Sequence, residues 1–215
     1  TARSAGNLGF RTRVVADAAR SMRLVRSRAK EWGVDAARIG FIGFSAGGEV
    51  AGMIGTKFDS GKPDVEDPIE RVSSRPDFNV LIYPWYRPGA MRSDVPPLFP
   101  VPKDAPPVFM VCADDDRSHV EPTVKFYLEL EANHIPTEMH IYSYGEHGFA
   151  LRPTKRAGAP VESWPDRLVA WLADRDRRGQ EDLVAPHDRR RMPLARQHGL
   201  PADILGLAPF DRRLR

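Results

Sequence analysis

The chain has 215 residues, 41% of them apolar, with 32 Lys and Arg against 29 Asp and Glu and a formal net charge of +3. That length supports one domain with a substantial core, and no apolar run approaches the roughly 18 residues a membrane helix needs. Cys112 is the only cysteine, which excludes an internal disulfide framework.

In chain order, Val14, Ala18, Met22, Val25, Ala29 and Trp32 recur at spacings of three and four. Arg11, Arg13, Arg20, Arg23, Arg26 and Arg28 take much of the remaining surface. The spacing predicts an amphipathic helix ending near Gly33. A short turn leads to a strand over 39–44, then Ser45, then "EVAGMIG", a helix of small residues able to cross that strand closely. Residues 58–76 are polar and proline-bearing and read as a loop. "FNVLIYP" is a second strand, a proline-rich surface excursion follows, and "VFMVCA" is a third strand running into Asp114, Asp115 and Asp116. "EPTVKFYLELEANHIP" reads as a helix stopping before Pro136, and "TEMHIYSY" as a fourth strand entering "GEHGF". A last helix over roughly 161–173 offers Trp164, Leu168, Trp171 and Leu172 to a core.

Strands that alternate with helices and are apolar on both faces predict an α/β fold, a parallel sheet covered on both sides. The boundaries expected are a domain over 1–174 and a basic, loosely ordered tail over 175–215. "RDRRGQ", "HDRRRM" and "FDRRLR" make that tail basic, but a nucleic-acid surface needs aromatic or motif support, and only Phe210 is near. Nucleic acid and membrane are therefore set aside as partners.

"GFSAGG" places Ser45 between Gly43 and Gly47 directly after an apolar strand. Ser45, the acidic cluster at 114–116 and His147 each follow the carboxyl end of a predicted parallel strand, and those ends share one rim. Strand–Gly-x-Ser-x-Gly–helix, with Ser, Asp and His in that order, is the nucleophile-elbow pattern. A serine hydroxyl needs an imidazole to take its proton as it attacks. A buried carboxylate fixes the imidazole tautomer. The N–H of Ala46 is positioned to donate to an oxyanion. His119 with Asp114 and Asp116 lacks the second histidine or cysteine expected of a metal site, so neither metal nor cofactor is expected.

The chain resembles the bacterial α/β-hydrolase esterases related to acetyl xylan, feruloyl and other carboxylesterases. The resemblance rests on "LVRSRAKEWGVDAARIGFIGFSAGGEVA", "RPDFNVLIYPWY", "PPVFMVCADDDRSHVEPTVKFYLELEANHIPTEMHIYSYGEHGFALRP" and "SWPDRLVAWL". It implies Ser45 as nucleophile, His147 as base and Asp116 as acid, with Asp115 the alternative. It also implies an acyl or sugar ester substrate, small or polymeric, with Trp85 and Tyr86 flanking it, and a secreted or periplasmic setting. Cys112 stands where such enzymes commonly carry a histidine.

The larger departure is that no His-Gly-Gly occurs in the chain, whereas the family completes its oxyanion hole with that loop and adds strands beside the elbow strand. The sequence begins without Met and shows no leader or sorting tail. The expectation is therefore the carboxyl-terminal part of a longer enzyme. Alternatives are a homodimer pairing through an exposed sheet edge, and substitute N–H groups from Ala5–Phe10. A non-catalytic binding module of the same fold is the competing functional expectation.

Overall fold

The computed structural model describes residues 2–84, 100–152, 154 and 158–184, with side chains between residues 13 and 177. The chain divides into two units, residues 1–172 and 173–215. The first opens with helix α1 (Ala2–Ser27), which breaks at Arg28 and resumes as the single turn α2 (Ala29–Trp32). Gly33 ends it at φ 66°, the left-handed stop that a residue without Cβ adopts most easily. Then come β1 (Gly40–Phe44), α3 (Ala46–Ile54), β2 (Phe78–Ile82), β3 (Val108–Ala113), α4 (Arg117–Ala132) and β4 (Thr137–Tyr142). The last helix, α5 (Trp164–Val184), runs past the stop expected near residue 173, and its turns from Ala173 on belong to the second unit.

The four strands are parallel and lie in the order β1-β2-β3-β4, as the apolar runs between helices predict. Successive residues point to opposite faces. Leu81, Val108 and Met110 pack with Ala51 and Met53 of α3 and with Phe126 and Leu130 of α4. Val80, Ile82, Phe109, Val111 and Ala113 pack instead with Val161, Trp164 and Trp171. Burying one such side chain contributes about 1.5–3 kcal/mol. Since β3 is buried at every position, the core centres on it.

The sheet thins toward β1, where Gly43 alone is buried and Ile42 is 47% exposed. The Ser45 N–H bonds to the Ile82 carbonyl, and the Asp77 N–H to the Ile39 carbonyl. Odd-numbered residues of this stretch therefore pair with β2, and Gly40, Ile42 and Phe44 turn their backbone groups the other way. Among the described residues no strand pairs with that side.

Helix α1 differs from its predicted faces. Trp32, assigned inward, is 47% exposed, while Arg23, assigned outward, is 4% exposed. The cause is the segment 58–76, which folds over the helix. Arg23 donates to both oxygens of Asp59 at 2.6 and 2.5 Å and to the Val72 carbonyl at 3.1 Å. Arg26 donates to the Arg75 carbonyl at 2.5 Å and also to the carbonyl of Ala36. A buried guanidinium is tolerated when paired in this way. Burial raises the Asp59 carboxyl's pKa, but Arg23 and the Gly61 amide outweigh it and hold the group below its ordinary value.

One expectation is corrected. Ala5–Phe10 lie inside α1, so their amides sit in a helix rather than in a loop free to receive an oxyanion.

Candidate functional site

Ser45 joins β1 to α3 with φ 53° and ψ −120°, a conformation that costs a non-glycine residue strain. The neighbouring glycines explain how the chain holds it. A Cβ on Gly43 would lie 1.9 Å from the Gly47 carbonyl oxygen, and one on Gly48 would lie 2.8 Å from Cα of Pro84. At Gly47 a Cβ would meet nothing within 4 Å. The close approaches therefore depend on Gly43 and Gly48, one residue later than the motif suggests. Although Ser45 is the N-cap of α3, its side chain makes no capping bond. Its Oγ lies instead 2.8 Å from His147 Nε2.

His147 sits on the loop after β4, between Glu146 at φ 55° and Gly148 at φ 86°. That loop hangs on Asp115, whose carboxylate accepts the Gly145 N–H at 3.0 and 3.1 Å and the Glu146 N–H at 2.9 Å. Gly145 is wedged so closely that a Cβ there would reach 2.9 Å from Val161. Tyr83, the residue after β2, sets its ring edge-on to His147 at 4.9 Å and to Phe149 at 4.5 Å. Burial pushes the Tyr83 hydroxyl's pKa up, against a smaller lowering by the Ala150 backbone and Arg152.

The structure separates the acidic residues that the sequence left as alternatives. Asp116, 7% exposed at the start of α4, brings Oδ2 to 2.6 Å from His147 Nδ1. Asp115 is spent on the loop backbone, and Asp114 is exposed. An ionised carboxylate can only accept, so His147 Nδ1 carries the proton and Nε2 keeps its lone pair toward Ser45. Ala46 opens α3, where its N–H has no intrahelical acceptor and lies at the positive end of the helix dipole. Trp85 and Tyr86 lie outside the described residues.

Two neighbours of His147 have a place beside it that the sequence reading does not assign. Tyr83 was counted as strand. His119 brings Nδ1 to 2.5 Å from Asp116 Oδ1, and its ring centroid lies 4.5 Å from that of His147. The signal available was the spacing of three from Asp116 at a helix start, which puts both on one side of the first turn. Asp116, His119 and His147 present donor atoms within 4.8 Å of one another. Both Nδ1 atoms are turned to the carboxylate, so the cluster forms a hydrogen-bonded network, with His147 Nε2 already facing Ser45.

The chain and its fold are similar to those of known proteins. A model of the BD-FAE family matches residues 3–93, which include Ser45 but neither Asp116 nor His147. Among solved structures, the acetyl ester-xyloside bifunctional hydrolase from Caldicellulosiruptor lactoaceticus is 34% identical with a TM-score of 0.66, covering 74% of this chain and 65% of that one. The chain has the α/β-hydrolase fold.

The chain is also similar to a putative carboxylesterase from Lactobacillus plantarum, at 27% identity and TM-score 0.56 over 75% of this chain and 68% of that one. An acetylxylan esterase of Xylanibacter ruminicola is 27% identical over 176 residues, 66% of this chain and 32% of the relative. The chain thus spans about a third of the length of that curated relative.

Proposed function

We propose that this α/β-hydrolase cleaves carboxylic esters through an acyl-enzyme formed on Ser45. The observation that carries the reading is the unbroken chain of hydrogen bonds from Ser45 Oγ to His147 Nε2, at 2.8 Å, and from His147 Nδ1 to Asp116 Oδ2, at 2.6 Å. In the proposed reaction His147 takes the Ser45 proton as Oγ attacks the ester carbonyl. The carbonyl electron pair moves onto oxygen, facing the N–H of Ala46. Collapse of that intermediate expels the alkoxide, which receives the proton from His147. Water, deprotonated by the same imidazole, then releases the acid and restores Ser45. Asp116 holds the imidazole tautomer and offsets the positive charge formed at each transfer.

The acetyl ester of a xylan-type saccharide is the substrate proposed, because an acetyl ester and a xylose-based saccharide figure in the names of both the acetylxylan esterase and the acetyl ester-xyloside hydrolase. Trp85 and Tyr86 are proposed to flank the ester.

The test is covalent labelling with a fluorophosphonate, followed by p-nitrophenyl acetate and butyrate turnover. The wild type should label at Ser45, Ser45→Ala should not, and His147→Ala should lose turnover by at least 10³-fold. A wild type that neither labels nor turns over would favour the binding-module alternative.

A further inference from the structure

Asp116 does not serve His147 alone. We infer that His119 is a positioning residue for the proposed hydrolysis, acting through the second oxygen of Asp116, an inference that rests on the serine-hydrolase reading above.

The geometry is specific. Asp116 is 7% exposed, and each of its oxygens faces an imidazole Nδ1: Oδ2 faces His147 at 2.6 Å and Oδ1 faces His119 at 2.5 Å. Because the carboxylate only accepts, both rings carry their proton on Nδ1. Ser118 Oγ lies 2.9 Å from the same His119 nitrogen and shares that proton. His119 is itself largely covered, with a side-chain exposure of 12% against 34% for His147.

This does two things. A carboxylate bonded through one oxygen is free to swing about its own side-chain torsions, and each swing moves the acceptor away from His147. A second charge-assisted bond on the other oxygen fixes the plane of the group. The bond also draws negative charge toward Oδ1, so removing it alters the environment of the His147 Nδ1 proton even if the backbone does not move. The contact at 4.5 Å between the two rings, tilted by 32°, limits the play of the His147 imidazole as it gains and loses its proton. Holding a reacting group within a narrow range of geometry is worth orders of magnitude in rate, and small misplacements are costly. His119 does not touch Ser45 in this arrangement, and no proton passes through it.

The experiment uses the full chain with ¹⁵N-labelled histidine. In proton NMR the wild type should show two protected imidazole N–H resonances downfield of the amide envelope, one from each ring bonded to Asp116. His119→Phe keeps a ring against His147 but removes the donor. It should lose one resonance and shift the other, lower kcat for p-nitrophenyl acetate about tenfold, and leave KM within about twofold. His119→Asn returns an N–H within reach of Oδ1 and should recover most of kcat and move the His147 proton back.

A wild-type spectrum with one such proton overturns the inference even if neither variant folds. So does a His119→Phe enzyme with an unmoved His147 proton and an unchanged kcat. Loss of kcat that Asn does not rescue also overturns it. If instead the wild type fails to label at Ser45 while the two coupled protons are present, the hydrolase reading falls and the pairing of the imidazoles through Asp116 stands.

Discussion

The elbow at 43–48 and the histidine loop at 145–148 deliver their reactive groups to the same place by opposite means. In the elbow the constraint is space. Backbone passes so close to backbone that Gly43 and Gly48 admit no side chain, and Ser45 is left at φ 53° with its hydroxyl outward. In the histidine loop the constraint is a charge. One exposed carboxylate, Asp115, collects the N–H groups of Gly145 and Glu146, and His147 goes where they go. Steric exclusion fails all at once when a methyl is added, whereas hydrogen bonds to an exposed carboxylate can be weakened by degrees.

The sharpest way to break this contrast is Gly43→Ala. Its Cβ would overlap the Gly47 carbonyl, so the elbow must open or the strand must shift, at a cost of about 3 kcal/mol or more. Fluorophosphonate labelling of Ser45 should fall by at least 10³-fold, and the urea midpoint should drop with it. A variant that labels normally would mean the elbow does not depend on that approach.

Asp115→Ala should act more mildly, slowing turnover by about ten- to a hundredfold, or roughly 1.4–2.8 kcal/mol of transition-state stabilisation. Because Ser45 is untouched, labelling of the variant should respond to added time rather than disappear. Gly47→Ala tests the other end of the scale. The motif lists this glycine beside Gly43, yet its position is open, so activity should stay within about twofold and helix α3 should gain a few tenths of a kcal/mol. A large loss would return Gly47 to the motif's own reading.

An effect of pH rather than of substitution is read at Cys112, buried in β3 just before the acidic cluster. Burial, with smaller contributions from Asp116 and Asp114, pushes its thiol up to about 12 from 9.0. The folded thiol therefore keeps a proton that the unfolded thiol loses. Its contribution to stability is intact below pH 9 and declines as pH rises toward 12. Denaturant midpoints at pH 8 and 10.5 should show the decline. At pH 8 a thiol reagent should be nearly inert toward the native chain, and faster with Asp115→Ala than with Gly47→Ala.

Much of this was legible because strands in a parallel sheet are written as short apolar runs. The residues that follow them fall on a common rim whatever their separation in sequence. Ser45, Asp116 and His147 are such residues. The sequence offers His119 beside Asp114 and Asp116 only as a metal cluster, because its approach to His147 exists only once β3 and β4 set Asp116 and the histidine loop side by side. Arg23 misled for the converse reason. An arginine on the polar stripe of α1 is ordinary, and only the fold of 58–76 over that stripe buries it against Asp59. Gly48 was hidden by Gly47, since a pattern match cannot tell which of two adjacent glycines faces Pro84.

The outward row of β1 bears on the strained turn beside it. Phe44, one peptide before Ser45, turns its amide and carbonyl groups away from β2, and among the described residues no strand meets them. Any extended segment laid there would add rungs up to the residue before the reactive hydroxyl, stiffening the stretch of chain that holds its unfavourable torsion. A strand of the kind the sequence resemblance implies beside the elbow would thus brace the Ser45 backbone from outside the site.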